Sequence, residues 1–387
     1  MRKICFVTGT RAEYGILSRL MRLVAEDPEL QLQIIATNMH LMPEYGNTYK
    51  EIEADGFTID RKVYMSKPSD DAHGVIASMA EEMLSMTKAY ADLQPDLIVL
   101  LGDRYEIMVA AQVALINRIP IAHIHGGEVT EGAFDDAIRH SVTKMSSLHF
   151  TSCEEYRRRV IQMGENPEMV YNCGSLGVEN IKSIPLMTKE ELEDSLKFKI
   201  DEKTILVTYH PATLGGSPWK DIQNFLSALD AFNDIRVIFT MPNSDTGRDE
   251  IAAAIKDYVK THSETTVAFD SLGLKRYLST LKYVKAVVGN SSSGIIEVPS
   301  FGIPTVNIGP RQNGRLMADS VICCGIEQNE IVSAMTIALS EEFRDRVYNT
   351  RSPYEVPNTA EKILNVIKTS DLNSLQIKSF FDYPIKY

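Results

Sequence analysis

Cysteine is scarce in this chain, and a long hydrophobic run is absent. The 387 residues include five cysteines, two of them adjacent at Cys323 and Cys324, with no C-x-x-C spacing. Such usage argues against a disulfide framework and against a zinc site, so we expect no bound metal and a reducing, cytoplasmic environment. After Met1, the first apolar run, residues 4–8, is too short for a signal sequence or a membrane span. The sequence therefore predicts a soluble protein with no membrane partner.

Positive charge is also in deficit. The chain has 40 lysine and arginine residues against 52 aspartate and glutamate residues, a formal net charge of -12 at pH 7. A nucleic acid requires a broad basic field, so none is expected as a partner, and any phosphate site must be local. The hydrophobic content of 44% is ordinary for a globular protein, and the length suffices for two domains.

The most informative stretch lies in the first half of the chain. Apolar runs at 97–101 and 119–124 flank a helix-like segment, which is typical of two parallel strands joined by a crossover helix. Asp103 follows the first run, while His125 and Glu128 follow the second. Loops at the carboxyl ends of neighbouring parallel strands meet over one crevice, where ligands bind. We therefore expect these three side chains to face the same cleft.

A second helical pattern opens at Asp135 and Asp136, with Arg139 four residues after Asp135 on the same face. A helix N-cap and an i,i+4 ion pair with Arg139 explain these residues structurally, and a role in the cleft explains them functionally. We favour the structural interpretation for Asp136, and both remain open for Asp135. His140 and His149 are interpreted as structural histidines.

A glycine-bounded turn, residues 9–15, follows the first predicted strand and opens a helix. Free backbone N–H groups and the helix dipole make such a turn an anion site, and the planar guanidinium of Arg11 suits a phosphate. The spacing matches neither the dinucleotide-binding pattern nor the Walker motif, so the turn alone is weak evidence.

The strand and helix pattern restarts in the second half. Beyond a connection at 174–202, four apolar runs alternate with helical segments, as in a second doubly wound α/β domain. We therefore predict two Rossmann-like domains, residues 1–175 and 176–365, that face each other across a cleft. Residues 366–387 are predicted to form a C-terminal helix that returns to the first domain.

Polar motifs follow the predicted strands of the second domain, and residues 289–297 form the strongest of them. Three hydroxyl groups and free N–H groups at a helix start suit a diphosphate, while Glu297 lies far enough along to accept bonds from a ribose diol. A serine-capped helix explains the motif about equally well when it is taken alone. Residues 309–315 add two cations, Arg311 and Arg315, to the same rim. The three hydroxyl groups belong to Ser291, Ser292 and Ser293.

Several short motifs along the chain are weak singly and specific together. They are Gly9-Thr10-Arg11-Ala12-Glu13, Gly102-Asp103-Arg104, Gly126-Gly127-Glu128, Asp135-Asp136 with Arg139-His140, His210-Pro211, Asn290-Ser291-Ser292-Ser293-Gly294 and Arg311-Gln312 through Gly314-Arg315. The set resembles the UDP-N-acetylglucosamine 2-epimerases, most of all the hydrolysing branch of bacterial sialic acid or related nonulosonic acid pathways. The resemblance implies a glycosyltransferase-B architecture, in which the second domain binds UDP and the first holds the sugar.

The resemblance also implies roles for individual residues. Asp103 and Asp135 match positions regarded as catalytic acid/base residues, and His210 would contact the phosphates or assist the leaving group. Where many relatives carry a glutamate two residues after the strand histidine, this chain has His125, so the second acid/base is either His125 or Glu128. The residues implied to contact the UDP-sugar are Arg11, Ser291, Ser292 and Arg311 at the diphosphate, Glu297 at the ribose, Asn243 near the nucleotide, and Arg104, Arg139, Ser293 and Arg315 elsewhere.

The reaction implied by the resemblance is anti elimination of UDP from UDP-N-acetylglucosamine, followed by hydration of a 2-acetamidoglucal to N-acetylmannosamine. Such chemistry needs a base for the C2 proton and positive groups at the departing UDP, with no metal and no cofactor. A homodimer or homotetramer is expected.

Other functions remain open at this point. UDP-N,N'-diacetylbacillosamine is an alternative substrate, and a non-hydrolysing 2-epimerase is an alternative reaction. A retaining glycosyltransferase of the same fold would need an acceptor groove in place of clustered acid/base residues. A non-catalytic nucleotide-sugar sensor is disfavoured by the joint presence of Asp103, Glu128, Asp135 and His210.

Overall fold

Two parallel β-sheets organise the chain and confirm the predicted pair of doubly wound α/β folds. The computed structural model describes residues 1–66, 71–131, 133–211, 217–243, 245 and 247–382. The strands of the first sheet are β1 (Arg2–Thr8), β2 (Leu30–Thr37), β3 (Arg61–Val63), β4 (Leu97–Leu101), β5 (Ile121–Ile124), β6 (Leu148–Thr151) and β7 (Val170–Asn172). They lie in the order β3-β2-β1-β4-β5-β6-β7, and each neighbouring pair is parallel.

Helices cover both faces of this sheet. Along β1, Ile4 and Phe6 enter one hydrophobic core, whereas Cys5 and Val7 enter the other, because successive side chains of a strand point to opposite faces. No helix in the described parts of the chain has the length and hydropathy needed to cross a membrane. The helices of this half are α1 (Arg11–Glu26), α2 (Tyr49–Ala54), α3 (Ala72–Leu93), α4 (Tyr105–Ile116), α5 (Asp135–Met145), α6 (Glu154–Gln162) and α7 (Leu176–Ser183).

The second half repeats the architecture around a six-stranded sheet. Its strands are β8 (Thr204–Thr208), β9 (Arg236–Thr240), β10 (Thr266–Phe269), β11 (Ala286–Gly289), β12 (Thr305–Ile308) and β13 (Val321–Cys324). Its order is β10-β9-β8-β11-β12-β13. The helices from this point to the end are α8 (Lys189–Leu196), α9 (Pro218–Leu229), α10 (Arg248–Thr261), α11 (Gly273–Tyr283), α12 (Ser293–Ile296), α13 (Gln328–Leu339), α14 (Glu341–Val347) and α15 (Thr359–Thr369).

The strand order of each sheet reverses once. The reversal lies between β1 and β4 in the first sheet and between β8 and β11 in the second. Loops leaving the strands on either side of such a reversal diverge and leave a crevice at the carboxyl edge. The two crevices face each other and form the cleft described below.

The two edge strands β3 and β13 were not predicted from the sequence. Strand β3 has only three residues, Arg-Lys-Val, and its single buried side chain is Val63. Strand β13 is four residues long and only partly buried. Strand β3 lacks an apolar run, and β13 is a short apolar segment, Val-Ile-Cys-Cys, that is partly exposed. Both lie at a sheet edge, where a strand has one neighbour and more exposed surface.

The end of the chain differs from the predicted domain boundary at residue 365, which falls inside α15. Ala360, Ile363 and Ile367 of this helix are buried in the first-domain core. Helix α15 packs on α1 and α7, so it belongs to the first domain from its first turn. The predicted C-terminal helix over 366–387 is also wrong in extent, because beyond Thr369 the described residues form only a 3-10 turn at Ser374–Gln376.

We expect the returning helix to stabilise the first domain. Ile363 is fully buried, so Ile363→Ala should lower the free energy of unfolding by about 2–5 kcal/mol, the usual cost of such a cavity. Ile337→Ala on α13 is the matched control, because that side chain is 50% exposed and should cost far less. Urea unfolding of the two variants measures the difference. Equal costs would contradict the packing described for α15.

Candidate functional site

The cleft between the two sheets encloses a cavity of about 320 Å³ at their carboxyl ends. Its lining includes every residue that the sequence analysis selected for the site. The first domain contributes Arg11, Asp103, Arg104, His125, Glu128, Asp135 and Arg139, and the second contributes His210, Asn243, Ser291, Ser292, Ser293, Glu297, Arg311 and Arg315.

Asp135 is the first residue of α5, and its side chain is directed into the cleft. It is 5% exposed, and its Oδ2 accepts no hydrogen bond from the described residues. Burial raises the pKa of Asp135 to about 7, with further contributions from the carboxylates of Asp103 and Asp245. Near neutral pH this group is therefore able both to donate and to accept a proton.

The carboxylate of Asp103 is bound by Arg139. Gly102, with φ of +81°, makes the turn from β4 that places Asp103 at the cleft. The buried guanidinium of Arg139 donates to the Asp103 carboxylate, to Thr130 Oγ1 at 2.8 Å and to the Glu128 carbonyl at 3.0 Å. Arg139 therefore orients the first-domain loops, and the i,i+4 pair with Asp135 considered from the sequence is not formed.

The neighbouring Asp136 makes structural contacts, although it does not form the helix N-cap considered from the sequence. Its Oδ1 accepts a hydrogen bond of 2.7 Å from the backbone N–H of Thr130, and its Oδ2 lies 3.5 Å from His140 Nε2. These contacts fix the loop between β5 and α5. His149 is likewise structural, because its Nε2 pairs with buried Glu165 at 2.9 Å.

His125 and Glu128 form a buried pair at the end of β5. His125 has φ of +66°, in the left-handed region, and its Nδ1 lies 3.4 Å from Glu128 Oε1. Burial lowers the pKa of His125, although Glu128 opposes this shift. The Nε2 atom of His125 is buried and has no hydrogen-bond partner among the described residues. A neutral imidazole with one free nitrogen therefore faces the cleft.

Glu128 is fixed from both domains. Ser152 Oγ donates to Oε1 at 2.8 Å, and Arg315 Nη1 of the second domain donates to Oε2 at 2.6 Å. Burial alone would raise its pKa, but Arg315 and His125 outweigh burial and lower the pKa of Glu128 to about 2. Glu128 therefore stays ionised across the physiological range.

Two other arginines also bridge the domains. Arg104 Nη1 donates to Asp245 Oδ1 of the second domain at 3.1 Å, while its Nε donates to Glu106 at 2.8 Å. Arg11 pairs with Glu51 and donates from Nη1 to the carbonyl of Ser271 at 3.2 Å. Together with Arg315, these side chains hold the cleft closed in this structure.

His210 is set into the second-domain wall by Asn290. Asn290 Oδ1 accepts from the His210 backbone N–H at 2.7 Å, and Asn290 Nδ2 donates to the His210 carbonyl at 2.8 Å. His210 Nδ1 accepts from the Asn243 backbone N–H at 3.4 Å, which leaves the proton on Nε2. Burial lowers the pKa of His210 to about 3, helped by Arg311. His210 is therefore a neutral N–H donor.

The serine motif presents hydroxyl groups to the cleft and does not cap a helix. Helix α12 has only four residues, and Ser292 at its start makes no side-chain capping bond. Ser293 Oγ accepts instead from Tyr277 at 2.6 Å. Glu297 is 8% exposed, and burial raises its pKa to about 7. The Glu297 carboxylate lies close to the backbone of Gly177, and only a glycine fits there, since a Cβ on residue 177 would lie 2.2 Å from Glu297 Oε1.

The chain is similar to known proteins both in sequence and in structure. The family model described as UDP-N-acetylglucosamine 2-epimerase matches residues 22–368. The chain belongs to this family. A structure of UDP-GlcNAc 2-epimerase from Neisseria meningitidis, bound to UDP-GlcNAc, aligns with a TM-score of 0.78 over 95% of this chain and 100% of that one, at 18% identity. The fold is thus the two-domain glycosyltransferase-B architecture of the epimerases.

Two relatives are similar to this chain over nearly their whole lengths. The GDP/UDP-N,N'-diacetylbacillosamine 2-epimerase (hydrolyzing) of Campylobacter jejuni is 42% identical, over 98% of this chain and 99% of that protein. The polysialic acid biosynthesis protein P7 of Escherichia coli is 41% identical, over 99% of this chain and 98% of that protein.

Sequence reasoning missed the residues that hold this epimerase-family site together. Ser152 and Thr130 bind the Glu128 and Arg139 network, and Asp245 receives Arg104. Glu106 binds Arg104 although it lies inside an apolar helix. A buried carboxylate in an apolar helix was the one signal available, because such a charge requires a cation nearby.

The raised pKa of Asp135 predicts that the free energy of unfolding falls as the pH rises. An unfolded aspartate titrates near 3.8, so the stability contributed by the protonated carboxyl is complete below that pH and is lost as the pH rises through about 7. In Asp135→Asn that loss disappears. The melting temperature of Asp135→Asn minus that of the wild type should therefore rise between about pH 5 and about pH 8, by about 2–4 °C for each kcal/mol. A difference that is constant with pH would refute the shift.

Proposed function

We propose that the chain is a hydrolysing UDP-2-acetamido-sugar 2-epimerase, which eliminates UDP and then hydrates the 2-acetamidoglucal. The observation that carries the proposal is the arrangement of the cleft, with Asp103, His125 and Asp135 on one wall and a serine and arginine wall opposite. Elimination needs both walls at once, because a weakly acidic C2 proton must be removed while a diphosphate departs.

The second-domain wall is suited to the diphosphate. Arg311 Nη1 lies 3.4 Å from the Asn290 carbonyl, and its buried Nε has no partner among the described residues. We assign Arg311, Ser291 and Ser292 to the phosphates, with Arg11 opposite. Glu297 is assigned to the ribose, Asn243 and Ser293 to the nucleotide side, and His210 Nε2–H to the phosphate oxygen that accumulates charge on departure.

We assign the base to His125 and give Glu128 an orienting role. The two carboxylate oxygens of Glu128 are occupied by Ser152 and Arg315, and a pKa of about 2 makes it a very weak base. His125 has a free Nε2, and the adjacent carboxylate favours the proton on Nδ1. This arrangement supports His125 as the choice between the two candidates that the sequence left open.

Asp103 and Asp135 complete the proton transfers in this proposal. Asp103 is paired with Arg139, whereas Asp135 has a raised pKa and an unpaired oxygen. We propose that Asp103 assists His125 on one face of the sugar and that Asp135 returns a proton on the other.

UDP-N-acetylglucosamine is the substrate that we propose first, with N-acetylmannosamine and UDP as products. UDP-N,N'-diacetylbacillosamine is the second candidate, because the Campylobacter relative bears that substrate in its name. The two sugars differ at C4 and C6, so the pocket wall away from C2 selects between them.

The function is tested by incubating the protein with each UDP-sugar alone. A hydrolysing epimerase should release UDP and a free 2-acetamido sugar of inverted C2 configuration without any acceptor. Chromatography with mass detection identifies the products, and the larger kcat/KM identifies the substrate. Consumption only when an acceptor is added would establish a glycosyltransferase, and binding without turnover would establish a sensor.

Replacement of Arg311, the arginine that we assign to the phosphates, should weaken nucleotide binding. Arg311→Ala removes a charge-assisted contact worth about 1.5–3 kcal/mol, so UDP affinity should fall about ten- to a hundredfold. Arg158→Ala is the control, since that arginine is 78% exposed and lies on α6. Calorimetry with UDP measures both. Unchanged affinity in Arg311→Ala would remove the assignment.

Replacement of an acid/base group should lower turnover without weakening nucleotide binding. Asp103→Asn, His125→Gln and Asp135→Asn should each keep UDP affinity and lose about a hundredfold or more in kcat, as expected for proton-transfer groups. Asp136→Asn, on the same helix as Asp135, can keep the bond to Thr130 and should retain activity. Full activity in His125→Gln, together with an inactive Glu128→Gln, would transfer the base role to Glu128.

A further inference from the structure

Two tyrosine hydroxyl groups bind the backbone N–H and the carbonyl of a single residue at the boundary between the domains. Tyr156 lies on α6 of the first domain, and Tyr354 lies in the segment between α14 and α15. Their rings are fully buried and stacked, with centroids 5.9 Å apart and planes inclined by 23°. Both hydroxyl groups reach Leu316, which lies in the second-domain loop after β12. We call these three residues the Leu316 clamp.

Donor counting fixes the direction of every bond in the clamp. Leu316 N–H donates to Tyr156 Oη at 3.0 Å, and the Leu316 carbonyl accepts from Tyr354 Oη at 2.6 Å. A hydroxyl has one proton, so the 2.8 Å bond between the tyrosines must run from Tyr156 to Tyr354. The three bonds run in one direction, from the Leu316 N–H through both hydroxyl groups to the Leu316 carbonyl, and along this chain each bond strengthens the next.

The Leu316 clamp lies next to Arg315, whose guanidinium crosses the cleft to the first domain. Arg315, adjacent to Leu316, donates to Glu128 Oε2 at 2.6 Å and to Thr130 Oγ1 at 3.3 Å. Glu128 in turn faces His125 Nδ1. A continuous path of contacts therefore runs from the two hydroxyl groups through the Leu316 backbone, Arg315 and Glu128 to the imidazole.

We infer that Tyr156 and Tyr354 are positioning residues, whose hydroxyl groups fix the backbone of Leu316 and thereby hold the Arg315 guanidinium on Glu128 beside His125. The inference rests on the proposed function for its kinetic consequence, but its structural consequence stands alone. A tyrosine to phenylalanine change keeps the stacked rings and the buried volume. It removes only the hydroxyl, so packing and positioning make different predictions.

The kinetic test compares three single-atom variants. Tyr354→Phe removes the bond to the Leu316 carbonyl, Tyr156→Phe removes the bond from the Leu316 N–H, and each also removes the bond between the tyrosines. Both should lower kcat about tenfold, with KM and UDP affinity unchanged. Tyr90→Phe is the control, because its buried hydroxyl donates to the Ala110 carbonyl at 3.2 Å in the first-domain core, away from Arg315. An equal loss of kcat in Tyr90→Phe would overturn the inference.

A double-mutant cycle tests the proposed route through Arg315. In an Arg315→Lys background, Tyr354→Phe should have less than about a third of its effect on kcat in the wild type, because the contact it positions is already altered. Fully additive losses would contradict the route.

Histidine tautomers provide a readout that does not depend on turnover. In ¹⁵N-histidine NMR, with His125 assigned by His125→Gln, the wild type should show the proton on Nδ1. Tyr354→Phe and Tyr156→Phe should shift His125 toward a mixture of tautomers, and Tyr90→Phe should not. An unchanged His125 spectrum in both clamp variants overturns the inference even if activity falls. If the wild type lacks epimerase activity, the proposed function fails, and this spectrum alone still decides the inference.

Discussion

The ion pair between Glu128 and Arg315 is the contact on which the closed cleft depends. Both side chains are buried, and each charge removed from water costs several kcal/mol before any partner is counted. Ser152 and His125 contact Glu128, and Thr130 accepts a hydrogen bond from Arg315, so these residues offset part of that cost. Loss of either partner would leave the other charge buried and unpaired.

Charge is distributed unequally between the two walls, and this inequality gives the site its chemistry. The first wall contains an ionised carboxylate fixed by arginine, a neutral imidazole and a carboxyl whose pKa burial has raised. The second wall contains serine hydroxyl groups, a neutral histidine donor and Arg311. Low polarity inside the closed cleft strengthens each of these interactions relative to water. In the function we propose, proton transfer at carbon and departure of an anion take place on opposite sides of one cavity.

Much of the fold and the membership of the site were predictable from the sequence, whereas the pairings within the site were not. Asp103, His125 and the serine motif each follow an apolar strand, and parallel topology brings such positions to one edge. Spacing along the chain does not reveal a partner from another loop, so the sequence offered Asp135 as a possible partner of Arg139, whereas the structure pairs Arg139 with Asp103. The boundary at 365 was wrong for the same reason, since the apolar face of α15 is completed by residues of β1 and α1.

Isotope labelling tests the central claim, hydrolysis through elimination, most directly. In deuterium oxide the free sugar should carry one deuterium at C2, because the removed proton exchanges before a proton returns from the other face. In oxygen-18 water the label should enter at sugar C1 and be absent from UDP, because elimination and hydration break and remake the C1–O bond. Accumulation of a UDP-linked epimer with no free sugar, or oxygen-18 in the UDP phosphate, would contradict the account.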